Sequence, residues 1–375
     1  MHILLTVNSA WNVWNFRRPV VEAFANEGHT ITVLAPQDDS VPQLKRLGCY
    51  VRPLKMSVKG INPIHDIMLY YNFLRIFREE RPDIIFSFTI KNNIFGCLAA
   101  KKCGIPIIPN ITGLGTAFLS GGFLRKISEI LYKISFMNLS VVFFQNSDDR
   151  DLFLARGLVR ADQTQVLPGS GIDLDQFPAS PMPMAASAPT FLMISRLLRD
   201  KGVVEFAAAA RMIKSRYPQV RFQLLGEIGS ENRSAIHRRE LEAWVEEGVI
   251  DYLGTTSDVR PVIAAANCVV LPSYREGAPR TLIEAAAMAK PLIATNVPGC
   301  RAVVDRDVSG LLCEARSAAS LADAFEKFLG LSPEAQRLMG AAGRSKMERE
   351  FDQLIVVKAY RTAISNLSTN PIGVN

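Results

Sequence analysis

CVVLPSYREGAPRTLIEAAAMAKPLIAT, residues 268 to 295, is the stretch that decides the fold. It opens with an aliphatic run, CVVLPS, passes through a small-residue turn and re-enters regular structure at Pro279. Proline suits a first helical turn, where its missing N–H costs nothing. The apolar helix face AAAMA and a second aliphatic run, PLIAT (291 to 295), complete a strand–helix–strand unit, the building block of a parallel sheet.

The same rhythm extends outward. TFLMIS (190 to 195) and VRFQLLG (220 to 226) precede the unit as further strands. Nearer the N-terminus come ILLTV (3 to 7), a helix near 16 to 27, ITVLA (31 to 35) and YVRPL (50 to 54). A helix near 64 to 79, DIIFSF (83 to 88), a helix near 93 to 103, IPIIP (105 to 109), a helix near 121 to 138, VVFF (141 to 144) and QVLP (165 to 168) follow. Between the two series lies FPASPMPMAASAP (177 to 189), proline-rich and uncharged, which suits neither helix nor strand and reads as a linker. The expected architecture is therefore α/β with two doubly wound, Rossmann-like domains, residues 1–177 and 190–350, joined by a linker at 178–189. A closing segment, 351–375, places Phe351, Ile355, Tyr360 and Ile364 at helical spacing, to pack across both domains or on its own domain alone. Open parallel sheets bind ligands at the carboxyl ends of their strands, so two of them predict a cleft.

Composition agrees with two domains: 375 residues, 48% of them hydrophobic, can bury a large core. Cys49, Cys97, Cys103, Cys268, Cys300 and Cys313 form no CxxC pair and stand near no histidine cluster, which fits a reduced chain without structural zinc. The opening MHILLTVNSA has no basic n-region and reads as a buried strand, not a signal peptide. The uncharged run from Cys103 to Leu124 contains Pro106, Pro109 and five glycines, which argues against a lipid-facing helix. The net charge of +7 sits in the first part of the chain, where residues 1–140 hold 16 Lys and Arg against 9 Asp and Glu. Such an excess attracts an anionic membrane, a phosphorylated substrate or nucleic acid. The lack of a repeated basic and aromatic pattern speaks against nucleic acid. GGFLRKISEILYKISF (121 to 136) puts Phe123, Leu124, Ile127, Ile130, Leu131 and Ile134 on one helical face with Arg125, Lys126 and Lys133 elsewhere. That pattern serves an interfacial anchor or a core-facing amphipathic helix equally.

Glu276 in the turn and Glu284 in the helix are separated by seven residues. The spacing alone says little, but its setting is specific. PSYREGAPRTLIEAAAMAKPLIATNVPG (272 to 299) resembles the E-x7-E signature of the retaining family 4 glycosyltransferases with the GT-B fold, and SRLLRDKGV (195 to 203) resembles their other donor-site motif. NFRRPVVEAF, KGINP, TIKNN, NITGLG and FFQNSDD in the first half are similar to the bacterial branch that extends lipid-linked oligosaccharides. The resemblance implies that Arg196 and Lys201 bind the donor diphosphate, two fixed cations able to neutralise a departing diphosphate without a metal ion. It implies that Glu284 holds the donor ribose and that Glu276 lies near the anomeric carbon. Main-chain groups of Ala278, Pro279, Arg280 and Thr281 would cover the diphosphate or sugar, and Gly226 would allow close backbone approach unless it is a plain turn glycine.

Two departures concern the acceptor side. Several family members carry a glycine pair after the first strand, where this chain reads NSAWNVWNF (8 to 16), and Thr112 stands where many have a histidine. Asn12, Lys91, Thr112 and Gly113 are the acceptor-side candidates because they follow successive strands. The expectation is thus a retaining, metal-independent hexosyltransferase without cofactor, moving an N-acetylhexosamine or galactose from a UDP-sugar to a polyprenyl-diphosphate-linked saccharide in surface polysaccharide assembly. Such an enzyme would be cytoplasmic and peripheral on the inner face of the plasma membrane. A UDP-sugar 2-epimerase of the same fold and a non-catalytic nucleotide-sugar-binding protein are the alternatives.

Overall fold

The computed structural model describes residues 1–57, 62–114, 122–183, 188–229, 232 and 234–369. Parts of KGINP, of NITGLG and of the expected linker lie outside these residues, as do the side chains of Phe123 and Leu124. The chain forms two units, Met1–Ser170 with Gln353–Asn375, and Gly171–Asp352.

The first unit is built on seven parallel strands: β1 (His2–Thr6), β2 (Thr30–Ala35), β3 (Tyr50–Pro53), β4 (Ile84–Phe88), β5 (Ile107–Ile111), β6 (Val142–Phe144) and β7 (Thr164–Val166). Their order is β3-β2-β1-β4-β5-β6-β7. The central strands β4 and β5 are buried along their whole length because helices cover both faces, which is why they read as near-continuous apolar runs. α1 (Ala10–Phe16) and α2 (Arg18–Asn26) pack on one face, and α3 (Val41–Arg46) leads into β3. α4 (Pro63–Glu80), α5 (Cys97–Cys103) and α6 (Gly122–Phe136) pack on the other face, and α7 (Ser147–Ala155) follows β6. Asn62 starts α4, its side chain accepting from the amides of Ile64 and His65 ahead of Pro63. The helix expected near 16 to 27 is α2, and α1 is a further helix ahead of it; the two meet at Arg17, because Pro19 starts a new helix more readily than it continues one. The expected helix near 93 to 103 begins with a π-turn, Asn92–Gly96.

The second unit has six parallel strands in the order β10-β9-β8-β11-β12-β13. They are β8 (Thr190–Ile194), β9 (Arg221–Leu225), β10 (Asp251–Tyr252), β11 (Cys268–Leu271), β12 (Leu292–Thr295) and β13 (Gly310–Cys313). The helices are α8 (Val203–Lys214), α9 (Arg238–Glu246), α10 (Arg260–Ala265), α11 (Arg280–Ala287), α12 (Pro298–Val303), α13 (Ala318–Leu329) and α14 (Pro333–Lys346). Phe191, Phe206, Phe222 and Phe325 interlock in its core, with Phe191 and Phe222 stacked at 5.3 Å. The edge strands β10 and β13 escape a reading by pattern: the first is two residues long and the second, GLLC, has no β-branched residue.

The segment expected as the linker lies inside this second unit. The Ser180 amide donates to the Met288 carbonyl at 3.1 Å, and the Lys290 Nζ donates to the Pro181 carbonyl at 2.8 Å. Phe177 is buried in the same core. The chain passes between units at Ser170–Gly171 and again at Asp352–Gln353. Beyond the second crossing, α15 (Gln353–Thr369) packs on the first unit, where Tyr360 meets Phe86 at 4.7 Å and Phe143 at 5.1 Å. The stripe expected from Phe351 to Ile364 is therefore divided. Phe351 stays in the core of the second unit, Val356 and Val357 are buried in the first, and Ile355 is exposed. The helix starts anew after Asp352, so the phase of the stripe changes there.

Candidate active site

Four neighbouring strands of the second unit, β9, β8, β11 and β12, bring their carboxyl-end loops together. Three glycines let these loops touch. A side chain at Gly226, after β9, would place its Cβ 1.7 Å from the Ser195 carbonyl, after β8. At Gly202 a Cβ would lie 2.1 Å from the Pro272 carbonyl after β11, and the backbone there is also left-handed, φ +78°. At Gly299, after β12, a Cβ would lie 2.5 Å from the Gly277 carbonyl and 2.7 Å from that of Glu276. Hydrogen bonds close the same seams: the Tyr274 amide donates to the Asp200 carbonyl at 2.9 Å, and the Gly299 amide to the Glu276 carbonyl at 3.2 Å.

Glu276 is the side chain that this packing holds most firmly. Its Oε1 accepts from Lys201 Nζ at 2.5 Å and from Ser273 Oγ at 2.6 Å. The Ser273 side chain is fully buried, and its carbonyl accepts from the Thr295 hydroxyl on the neighbouring strand. Lys201 and Glu276, far apart in sequence, thus form one charge pair with side chains 24% and 12% exposed. An ammonium has three donors and Glu276 takes one of them, so Lys201 retains donors for an anion. Arg196 stands on the same loop as Lys201 but is exposed and forms no ion pair among the described residues.

Glu284 lies on α11, where Arg280 Nε donates to its Oε1 at 2.6 Å across one helical turn. Burial pushes its carboxyl above the usual range, against the pull of Arg280. Pro279 stands one position earlier than expected, at the cap, and α11 begins at Arg280 because the Pro279 carbonyl already receives the Leu282 and Ile283 amides. No side chain caps this helix, so its first turn presents positive dipole ends, a natural seat for phosphate. Thr281 Oγ1 donates to the Ile194 carbonyl at 3.1 Å and ties that turn to the end of β8. Ala278 packs against the core beneath.

In the first unit Asn12, Lys91, Thr112 and Gly113 follow β1, β4 and β5, three neighbouring strands. Lys91 Nζ is held 2.8 Å from the Asp66 carboxylate on α4, which restrains it more than a solvated loop lysine. Asn12 Oδ1 is buried without a hydrogen-bond partner among the described residues. Gly113 has φ +146°, in the region that favours glycine. Beneath these residues runs a buried polar network: Asn92 Nδ2 donates to Thr6 Oγ1 at 2.7 Å, Asn93 Nδ2 to the Asn110 carbonyl at 2.7 Å, and the Tyr360 hydroxyl to Asn110 Oδ1. Thr89 donates to Asn92 Oδ1 at 2.9 Å with φ +72°, an unusual conformation for a β-branched residue. Strain of this kind persists only where surroundings over-determine it, and it gathers at functional sites, as π-turns do.

Comparison with known proteins gives the family and the fold. The family described as Glycosyl transferases group 1 matches residues 188–330, and the family described as Glycosyl transferase 4-like matches residues 2–146. The chain belongs to the family 4 glycosyltransferases. A relative from Campylobacter jejuni, N,N'-diacetylbacillosaminyl-diphospho-undecaprenol alpha-1,3-N-acetylgalactosaminyltransferase, is 28% identical over 96% of this chain and 97% of its own length. An Escherichia coli UDP-Gal:alpha-D-GlcNAc-diphosphoundecaprenol alpha-1,3-galactosyltransferase is 25% identical over 68% of each chain. Among solved structures, that of Anabaena HepE in complex with UDP has TM-score 0.80 at 17% identity, covering 98% of this chain and all of that one. A Rickettsia africae glycosyltransferase has TM-score 0.79 at 19% identity, covering 98% and 99%. The transferase has the GT-B fold, with two parallel-sheet domains.

Ser273, Tyr274 and Gly299 of this transferase were not singled out by sequence reasoning, although all three fall within the quoted segment. Tyr274 donates to Glu205 at 2.7 Å beneath the stacked Arg316 guanidinium, and burial with that bond raises its hydroxyl to about 12. A small or hydroxyl residue three positions before a glutamate, and a glycine just inside the next helix, were the available signals.

Proposed function

We propose that this glycosyltransferase moves an N-acetylhexosamine or galactose from a UDP-sugar to a polyprenyl-diphosphate-linked saccharide, with retention of anomeric configuration and without a metal ion. One observation carries the proposal: Glu276 and Lys201 are locked together where four strand-end loops meet, beside the uncapped first turn of α11. The two lipid-diphosphate relatives supply the acceptor class and sugars, and the UDP complex of HepE supplies the nucleotide.

In this reading the bond between the sugar anomeric carbon and the β-phosphate oxygen breaks while the acceptor oxygen bonds to that carbon from the same face. The departing phosphate oxygen takes the acceptor proton. Arg196, Lys201 and the first amides of α11 stabilise the charge on the diphosphate. Glu276 lies by the sugar, opposite developing positive charge, and Glu284 with Arg280 holds the ribose. Main-chain groups from Ala278 to Thr281 face the diphosphate or sugar, and Gly226 gives them room. Asn12, Lys91, Thr112 and Gly113 form the acceptor side. The acceptor lipid keeps the enzyme at the cytoplasmic face of the membrane. Ile127, Ile130 and Ile134, exposed on α6, support contact there, while Tyr132 and Phe136 of the same helix are buried.

The test measures UDP release from a panel of UDP-sugars, with and without lipid-linked saccharide, in EDTA. Release that requires the lipid-linked acceptor and survives chelation supports the proposal. Release without acceptor, conversion of the sugar alone, or reversible loss in EDTA refutes it.

A further inference from the structure

Helix α4 is apolar on two sides. Leu69, Phe73, Ile76 and Phe77 are buried against the sheet, yet Ile64, Ile67, Met68 and Tyr71 are 57–69% exposed. Their spacing, i, i+3, i+4 and i+7, makes one continuous outward stripe. Next to it, α4 and α5 border two adjoining, open surface hollows of about 670 and 490 Å³ that share Tyr70 and Lys102. Arg75, Arg78, Lys101 and Lys102 line these hollows against a single carboxylate, Glu79, which Arg52 engages at 2.6 Å and Arg75 at 3.8 Å. Large apolar side chains left in water beside a cluster of cations mark a surface that something covers.

We propose that this α4–α5 face docks on an anionic lipid bilayer, with phospholipid phosphates in the two hollows and the stripe from Ile64 to Tyr71 inserted at the headgroup boundary. Two features select this occupant. A purely apolar partner leaves Arg78, Lys101 and Lys102 unanswered, and a nucleic acid leaves the apolar stripe bare; an anionic bilayer answers both at once. Tyrosines between the stripe and the cations suit the wet edge of a membrane, and lysine and arginine stems lie along apolar surface while their charged ends reach phosphate. The inference draws on the lipid-linked acceptor reading only for the reason to be at a bilayer, and it places the main contact on α4 and α5, with α6 alongside.

The experiment floats the purified full chain with vesicles of phosphatidylcholine alone and of phosphatidylcholine mixed with phosphatidylglycerol. Wild type should partition onto the anionic vesicles and weaken with salt. Each cation near such a surface contributes about fivefold, so R78Q/K101Q/K102Q together should lower partition about a hundredfold, with UDP binding unchanged. I67S/M68S should reduce the part that survives high salt. Equal partition of the triple variant and wild type, or equal binding of wild type to both vesicle types, overturns the proposal. So does a solution dimer that the triple variant dissociates, since a second copy would then be the occupant. Vesicle binding through these residues without transfer from any UDP-sugar leaves the docking face standing and refutes the proposed function. Transfer to a detergent-dispersed lipid-linked saccharide by a protein that ignores vesicles does the reverse.

Discussion

Gly299→Ala tests whether the backbone around Glu276 is as tightly built as the structure indicates. The new Cβ would stand 2.5 Å from the Gly277 carbonyl oxygen and 2.7 Å from that of Glu276, where ordinary contact begins near 3.4 Å. Both neighbours are backbone, so neither can rotate aside. Relief requires the loop to move by roughly 0.7–0.9 Å. The loop is pinned elsewhere by the Tyr274–Asp200 hydrogen bond and by the grip of Lys201 and Ser273 on Glu276, so the Glu276 carboxylate must shift with it or lose a partner. Misplacement of a reacting group by about 1 Å costs on the order of a hundredfold in rate. The overpacking itself costs about 1–3 kcal/mol of stability. Single-turnover transfer should therefore fall by one to two orders of magnitude, with a lower melting temperature, while UDP binding through α11 stays close to wild type. Gly330→Ala is the control, because its Cβ meets carbonyls only at 3.6 Å, in ordinary contact. If Gly299→Ala turns over within about threefold of wild type, far inside the loss expected for a misplaced group, the loop is not the rigid support described here.

Three further outcomes are expected. Glu284→Gln should weaken UDP and donor binding in calorimetric titration without lowering the melting temperature at neutral pH, since burial disfavours the charged carboxylate; a less stable variant with normal binding would contradict this. Glu276→Gln and Ser273→Ala should both reduce turnover more than donor binding, Glu276→Gln more severely, because Ser273 acts only by holding Glu276; equal rates for Ser273→Ala and wild type would remove it as a positioning residue. Lys290, wholly buried with its Nζ donating to the Pro181 and Ala264 carbonyls at 2.8 Å, has its ammonium lowered to about 8 by burial. Between that pH and the ordinary 10.5 the unfolded chain carries a proton the folded chain lacks, so stability relative to Lys290→Met should climb by about 3 kcal/mol with rising pH, and a flat difference in urea unfolding would refute it.

The fold was legible where strands are buried on both faces. Runs such as DIIFSF and TFLMIS leave few readings other than central parallel strands, and helices between them set the topology. Legibility failed at the edges of the second sheet and at the crossings, although the edge strands β3 and β7 of the first sheet are read in YVRPL and QVLP. β10 and β13 lie at the edge of their sheet and carry too little pattern to find. The proline-rich stretch at 178–183 looked like a linker because its composition forms no regular element, yet irregular backbone can still pack. Lys290 and Met288 hold it against the second unit through main-chain groups, which composition does not reveal. Likewise Ile355 kept the helical spacing and is exposed, because Asp352 resets the helix that the spacing assumed to be continuous.

At the site, the legible part was chemical and the hidden part was steric. Two glutamates eight positions apart say little alone; their setting between strand and helix, and the resemblance of that segment to the E-x7-E signature, gave them their expected roles. What makes Glu276 usable is less visible: a hydroxyl at Ser273, a cation brought from another loop, and glycines at 202, 226 and 299 whose value lies in the side chains they lack. All three seams between the four loops depend on backbone approaching backbone closer than any Cβ allows. A glycine in such a place looks in sequence like a turn glycine, as Gly226 did. The distinction matters for the proposed chemistry, because Lys201 and Glu276 form one charge pair. In the proposed mechanism an incoming diphosphate would compete with Glu276 for Lys201, and only a carboxylate still fixed by Ser273 and the loop would keep its position when that competition begins.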